Sequence, residues 1–419
     1  MSWLGLIATL GLAQANPLDP DLPEWILGVN EAVSVPPALS KQPDAEKRLD
    51  DFADLTLDAG VRYVRLNASS TPRLHQVMRQ QEPDWARVDR AMQRLGERGI
   101  GVIVVMMPWP ANDPWLAVDD CGIDHPASWT RRVQTLVERY DGDGQGDTEG
   151  AAKVIAWEVD NEPDLHDQMQ PGFCPPEMHV ETVAITAAAI READPDAKVL
   201  NGGFYRPHSR TGATYMQATA DAGLGDHIDG VSIHLYPSTD NEVSEIERAI
   251  DNTRASFGDR PIWLTETSTI GHGSGKGTGG EAEQARAMTS LVAAARRGGI
   301  SAIFWHTLTD PPKGGHVPSP GLYSGDETSK LKEAGVMSTT GWSEKLGLTA
   351  FRHLATAMLQ QGADEGLRWI QVTGGKLVWS ETHNGDVGSL PGEPEPIAGG
   401  KVREKGEDWR VEGLAFIPD

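Results

Sequence analysis

The chain has 419 residues and a net charge of −24, with 39% hydrophobic and 23% charged residues. That length exceeds one small domain and fits one large domain with an appendage. The negative charge argues against nucleic acid and anionic membrane surfaces as partners, and beyond the N-terminus no run is long and apolar enough to span a bilayer.

Residues 1–15, MSWLGLIATLGLAQA, read as a cleaved secretory signal. Trp3 to Leu12 is an apolar run too short for a bilayer, and Ala13-Gln14-Ala15 offers small residues at a cleavage site, although no Lys or Arg precedes the run. The expected location is secreted or periplasmic, with no membrane contact after cleavage.

From residue 25 onward, short β-rich runs alternate with amphipathic stretches. The runs are WILGVN (25–30), VRYVRLN (61–67), GVIVVMMPW (101–109), VIAWEVDNE (154–162), KVLNGG (198–203), IDGVSIHLY (228–236), PIWLTE (261–266) and AIFWHT (302–307). Helical spacing marks the stretches at 44–59, 84–98, 126–140, 177–193, 213–222, 241–257, 281–297 and 345–359. In the second of these, Trp85, Val88, Met92 and Leu95 share one face. Asp84 and Thr211 stand where N-caps belong.

Eight strands and eight helices in strict alternation predict a parallel sheet with right-handed crossovers, closed as a (β/α)8 barrel. An open doubly wound sheet would want a phosphate-binding glycine turn after the first strand, where the chain has Asn30-Glu-Ala-Val33. Past Gln361 the pattern changes. Residues 366–380 read as a hairpin around Gly374-Gly375, residues 390–400 as a Pro/Gly/Glu-rich loop, and 411–418 as a last strand. The expected organisation is a signal at 1–15, a barrel over 16–361 and a small β appendage over 362–419 packed on the barrel.

Each predicted strand ends in polar or aromatic residues: Asn30, Arg65 and Asn67, Trp109, Asn161 and Glu162, His234 and Tyr236, Glu266, Trp305 and His306. In a barrel these carboxyl ends share one rim, where active sites sit. Glu162, in Asn161-Glu162-Pro163, ends the fourth strand, and Glu266 ends the seventh, across the barrel. Two carboxyl groups facing one cleft meet the needs of glycoside hydrolysis, one protonated to donate to the leaving oxygen and one ionised as nucleophile or base.

On these residues the chain resembles the clan A glycoside hydrolases, retaining enzymes on a (β/α)8 barrel. The matching features are Asn161-Glu162-Pro163, Glu266, His234-Leu235-Tyr236-Pro237, Trp305 and Glu281-x-x-Gln284-Ala285. Within the clan the pattern WEVDNEP is closest to family 39, with families 5 and 51 as alternatives. The resemblance implies Glu162 as acid/base and Glu266 as nucleophile. It implies Asn161 as partner of the sugar 2-hydroxyl, Tyr236 as partner of Glu266, His234 near Glu162, and Trp305 as the floor under the sugar. Arg65 resembles the arginine that keeps the nucleophile ionised, since a neighbouring guanidinium lowers a carboxyl pKa; Glu162 needs the opposite treatment. The implied carboxyl separation is about 5–5.5 Å. The expected partner is a poly- or oligosaccharide, met by a monomer, with no cofactor required for catalysis.

The other acids of the fourth run divide by depth. Glu158 shares the parity of Glu162 one layer deeper, as a buried partner for an interior Arg or His. Asp160 borders the site, and Asp164 reads as a loop or cap residue. Trp109 and Trp115 follow the third strand, where they either line outer subsites or pack the core.

Residues 140–149, YDGDGQGDTE, resemble a calcium loop, with Asp141, Asp143, Gln145 and Asp147 at alternate positions and Gly146 at the turn. The twelfth-position Glu is missing, and a solvated acidic turn is the alternative. The glycine-rich run 271–280 fails as a phosphate loop because position 270 is Ile and 277 is Gly; it reads as a loop beside the site. The only two cysteines, Cys121 and Cys174, fall in neighbouring loops of the rim, which predicts a Cys121–Cys174 disulfide in an exported chain. Two other function classes stay open. A carbohydrate-binding barrel without activity would betray itself by losing a carboxylate, and both are present. A metal-dependent barrel hydrolase would need His and Asp at several strand ends, where His234 and His306 are the histidines available.

Overall fold

A computed structural model describes residues 16–30, 45–66, 85–107, 122–123, 126–165, 174–237, 241–269, 281–309, 321–325, 342–344, 346–356, 361–364, 367–380, 385–387, 395–405 and 408–418. The proposed signal, Asn67, Trp109, Trp115, Cys121 and the 271–280 loop lie outside these residues.

The chain alternates as predicted: β1 (Ile26–Asn30), α1 (Ala45–Asp58), β2 (Tyr63–Leu66), α2 (Trp85–Gly96), β3 (Gly101–Met106), α3 (Pro126–Glu138), β4 (Val154–Val159) and α4 (Pro176–Ala193). Next come β5 (Val199–Asn201), β6 (Phe204–Tyr205), α5 (Arg210–Asp221), β7 (Val231–Leu235), α6 (Glu242–Phe257), β8 (Ile262–Thr267), α7 (Glu281–Arg297), β9 (Ala302–His306) and α8 (Leu346–Leu354). The strands form one parallel sheet in the order β5-β4-β3-β2-β1-β9-β8-β7-β6. A bridge from Leu200 to Gly230 joins its two ends, so the sheet closes as a (β/α)8 barrel.

The fifth run, predicted as one strand, is in two pieces. Gly202 and Gly203 separate β5 from β6, and both pieces run beside β7. The remaining staves of the barrel are therefore β7, β8 and β9. Helix α5 begins at Arg210 rather than after a Thr211 cap; its N-cap is Ser209, whose side chain accepts the Gly212 amide hydrogen at 3.0 Å. Ser at this position satisfies one of the free amides of the first turn.

Alternate strand residues divide the core into two layers. Ile26, Ile103, Ala156, Leu200, Trp263, Ala302 and Phe304 fill the barrel interior with Leu18. Val29, Val64, Val104, Trp157 and Trp305 belong to the larger layer between the barrel and its helices. Gly28 makes room for the interior: a Cβ there would stand 2.6 Å from the Phe304 ring.

The C-terminal sheet is antiparallel and richer than three strands. It comprises β12 (Gln361–Asp364), β13 (Leu367–Val372), β14 (Gly375–Ser380), β15 (Gly385–Val387), β16 (Glu395–Lys405) and β17 (Asp408–Pro418); β10 (Tyr323–Gly325) and β11 (Trp342–Glu344) make a separate ribbon. The loop expected at 390–400 gives way to β16 from Glu395. This strand tolerates Pro396 and Gly399-Gly400 because its register on β17 shifts between Ile397 and Lys401. Ile370, Leu377, Trp379 and Leu414 share one core with Met288 and Leu291 of α7 and Phe351 of α8. Burying each such side chain is worth about 1.5–3 kcal/mol, so packing holds the sheet to the barrel.

Above the apolar interior lies a polar layer. Arg65 of β2 and Glu158 of β4 are both fully buried and meet side by side: Nε donates to Oε2 at 2.7 Å and Nη2 to Oε1 at 3.0 Å. Glu158 Oε1 also accepts from the Gly203 amide and the Ser232 hydroxyl, each at 3.0 Å. Burial alone would raise the Glu158 pKa; the charge and hydrogen bonds of Arg65, with those of His234, outweigh it and hold the carboxyl at about 2. Removing one partner of a buried pair costs about 3–5 kcal/mol, so Glu158→Ala should lower the urea midpoint markedly. Because the folded pKa is depressed, the stability Glu158 contributes is present above its ordinary value of 4.5 and is lost as pH falls toward about 2. Urea titrations across that window should show the loss in the natural chain and a shallower slope in the variant.

Candidate active site

Glu162 and Glu266 occupy the carboxyl-end rim, above the Arg65–Glu158 layer. Their side chains are 13% and 10% exposed, whereas those of Arg65 and Glu158 are fully buried. One oxygen of each stands within 4.8 Å of the other and of a His234 ring nitrogen. Arg65, Asn161, His234 and Tyr236 all gather there, as the sequence predicts.

Glu266 is turned inward by a bulge. His234 pairs with Glu266 while Ile233 pairs with Leu264, so β8 carries one extra residue, Thr265; the pairing of β8 with β9 shifts at the same place. Period-two alternation from the interior residue Trp263 sends Thr265 inward and would send Glu266 out. The bulge lets both face the interior, where the Thr265 hydroxyl contacts Glu158 Oε1 at 3.3 Å. Glu266 then accepts from Asn30 Nδ2 at 2.9 Å, from Arg65 Nη1 at 3.0 Å and from the Tyr236 hydroxyl. Burial would raise its pKa, but His306, His234, Arg65 and the Tyr236 hydrogen bond outweigh that and hold it at about 2. Burial and the neighbouring carboxylates push Tyr236 well above the usual phenol value, keeping it a donor.

Glu162 sits on an unusual turn. After β4 the chain passes through Asp160 at φ 77° and Glu162 at φ 53°, then enters a helical turn at 163–165. Left-handed backbone costs a residue other than glycine roughly 1–2 kcal/mol. The turn is tied by Asp160 N–H to Met106 O at 2.7 Å and by Asn161 N–H to Asp160 Oδ1 at 2.7 Å. Asn161 Oδ1 accepts from Arg65 Nη2 at 2.9 Å. The turn packs against the Gly202-Gly203 break, where a Cβ at Gly202 would come 2.5 Å from the Asp160 carbonyl carbon and one at Gly203 would overlap the His234 ring.

His234 links the two levels. Its Nδ1 is 2.9 Å from Glu162 Oε1 and its Nε2 is 3.2 Å from Thr265 Oγ1. Burial would lower its pKa, yet Glu266, Glu158 and Glu162 together raise it to about 9.

Three placements differ from expectation. Trp305 is fully buried in the layer between barrel and helices, on the opposite parity from the interior residues Ala302 and Phe304, so it offers no face to the cleft. His306, the next residue, reaches the site instead, with Nδ1 3.6 Å from Glu266 Oε1 and its ring edge-on to Tyr236 at 5.9 Å. Asp164, read as a loop or cap residue, lies in the helical turn 163–165. It is fully buried, takes the Tyr205 amide hydrogen at 2.7 Å, and burial raises its pKa well above the usual range. Asn30 and His306 escaped selection, although both end strands on the inward parity.

The 141–147 loop connects α3 to the start of β4, on the rim opposite the site. Carboxylate oxygens of Asp141, Asp143 and Asp147 converge within 4.8 Å. Asp147 accepts from the Gly142 and Gly144 amides at 3.0 and 2.6 Å, and Gln145 turns its side-chain amide toward Asp143 at 3.1 Å. Burial, with repulsion from Asp143 and Asp147, raises Asp141 to about 6. Cys174 is fully buried.

A family model described as a glycosyl hydrolase catalytic core matches residues 126–336, a span holding both candidate carboxylates. Among functionally curated proteins none matches the sequence. Solved structures share the fold at low identity. A family 39 β-xylosidase from Caulobacter crescentus aligns at 17% identity and a TM-score of 0.56, over 88% of this chain and 78% of that one. A glucosidase from Croceicoccus marinus aligns at 16% and 0.56, over 94% and 80%. An exo-β-1,4-mannosidase from an Opitutaceae bacterium aligns at 18% and 0.52, over 79% and 59%. With half its length under that family model and two rim carboxylates on a (β/α)8 barrel, the chain belongs to the glycosyl hydrolase catalytic core family and is a glycosidase.

Proposed function

We propose that this glycosidase works with retention of anomeric configuration on a poly- or oligosaccharide. Glu162 protonates the glycosidic oxygen as the bond to the anomeric carbon breaks, and a Glu266 oxygen attacks that carbon. In the second half Glu162, now a carboxylate, takes a proton from water, the water oxygen replaces Glu266, and the sugar leaves. The observation that carries the reading is the approach of Glu162 and Glu266 oxygens to within 4.8 Å. An approach this close supports a retaining pair, whose carboxyl groups stand about 5–5.5 Å apart, over an inverting pair, which needs about 6.5–9.5 Å to seat a water. The partners of Glu266 supply an ionised nucleophile, and Asn161, fixed by Arg65, is placed to meet the sugar 2-hydroxyl.

We also propose secretion or export to the periplasm behind the 1–15 signal, action as a monomer, catalysis without a cofactor, a structural calcium on Asp141, Asp143, Gln145 and Asp147, and a Cys121–Cys174 disulfide. Three oxygen-bearing side chains at this spacing suit a hard divalent cation.

Glu266→Ala should remove turnover of aryl glycosides while leaving the circular dichroism spectrum unchanged, and proton NMR of the natural enzyme's first-formed product should show the starting anomeric configuration. An active Glu266→Ala protein, or an inverted first product, would overturn the mechanism. Calcium should raise the melting temperature of the chelated protein, and Asp143→Ala together with Asp147→Ala should remove that rise. Peptide mapping without reductant should recover residues 121 and 174 in one linked pair; two free thiols would contradict the disulfide.

A further inference from the structure

Asp160 and His179 stand outside the chemistry proposed above, yet both are buried beside it. His179, in the first turns of α4, is fully buried, and Asp160 is 1% exposed. His179 Nδ1 stands 3.5 Å from Asp160 Oδ2, and neither ring nitrogen has a hydrogen-bond partner among the described residues. The ring is held edge-on against Phe204 of β6 at 6.3 Å. The other oxygen of Asp160 accepts the amide hydrogen of Asn161, the residue before Glu162.

A buried carboxyl group and imidazole are costly unless paired. The value of the pair lies in the turn it serves. Asp is one of the few side chains that favours left-handed backbone, through its short local hydrogen bond. Here that bond fixes the peptide leading into Asn161 and Glu162. His179, on α4, faces the other oxygen of that carboxyl group at 3.5 Å.

We propose that Asp160 and His179 form a positioning pair. Anchored on α4, His179 orients the Asp160 carboxylate, and Asp160 sets the left-handed turn that aims Glu162 at the leaving-group oxygen. This rests on Glu162 being the acid/base. Neither residue touches substrate.

Leaving-group dependence separates positioning of an acid from general structural support. A sugar bearing 2,4-dinitrophenolate departs without protonation, whereas one bearing an alkyl alcohol needs the proton. A misplaced acid therefore slows only the second. Displacements of about 1 Å can cost roughly 100-fold, and a positioned acid supplies about 10²–10⁴-fold. His179→Ala and Asp160→Ala should each lower kcat on the alkyl glycoside by roughly tenfold to 100-fold, with KM little changed. Bond cleavage with the dinitrophenyl glycoside, followed as the pre-steady-state burst, should change less than about twofold. The double variant should be no worse than either single one, as for residues acting as a unit. His179→Asn, whose side-chain amide can face the same Asp160 oxygen, should restore most of the alkyl rate.

Equal loss on both substrates, additive losses in the double variant, or no loss would each overturn the proposal. Should His179→Ala fail to fold by circular dichroism, Asp160→Asn decides. It keeps the acceptor for the Asn161 amide but discards the charge facing His179, and it must still slow the alkyl substrate selectively. Glu162→Ala is the control. If it shows no leaving-group dependence, the acid/base assignment fails, and that outcome is distinct from selective loss in Glu162→Ala with none in the pair.

Discussion

The site depends on one buried guanidinium. Arg65 donates to Glu158, Glu266 and Asn161 at once, from a position with no exposed side chain. A planar, permanently charged fork suits this task, since lysine would offer a point charge without fixed directions. Because the charge is desolvated, its attraction for the carboxylates is screened little. Glu158 compensates it from below, and Glu266 is held ionised from above. The interior pair is thus both a structural element and the electrostatic floor of the cleft.

That floor explains features which would otherwise read as irregularities. The extra residue in β8 turns Glu266 onto Arg65 without withdrawing Thr265 from Glu158. The double glycine between β5 and β6 brings the Gly203 amide to Glu158 and leaves space for the His234 ring. Two left-handed residues after β4 bring Glu162 to His234 rather than carrying the chain straight on. Each departure from regular strand geometry sits where a side chain must be re-aimed at the same cluster, the usual location of bulges and backbone strain.

This distribution also decides what a reader of the sequence can recover. The barrel was legible because alternation of β-rich and amphipathic runs is a long-range pattern that tolerates local error. Glu162, Glu266, Arg65, His234 and Tyr236 were legible because strand ends of a barrel share a rim. Trp305 and His306 were not separated, since their assignment turns on one step of parity, and period-two reasoning has no margin for such a step. Glu266 itself lies off the regular parity, and only a bulge visible in three dimensions brings it inward. The extra C-terminal strands were hidden by Pro396 and Gly399-Gly400, residues that break a strand unless it shifts register, as β16 does. Asp164 looked like a cap because it follows a proline; its burial follows from β6, a contact between positions 41 residues apart.

The charges around the cleft have a further consequence for the proposed reaction. Glu158 and Glu266 stay ionised, and Arg65 and the protonated His234 balance them. The Glu162 carboxyl group stands against this balanced cluster, 2.9 Å from His234 Nδ1. Low-dielectric surroundings make each charge in the cluster sensitive to its neighbours. Attack by Glu266 then converts that carboxylate to an uncharged ester. With one negative charge gone, Arg65 and His234 lose one of the carboxylates that balance them. In the proposed reaction a single charge change on Glu266 is therefore felt at once by Arg65, His234 and Tyr236.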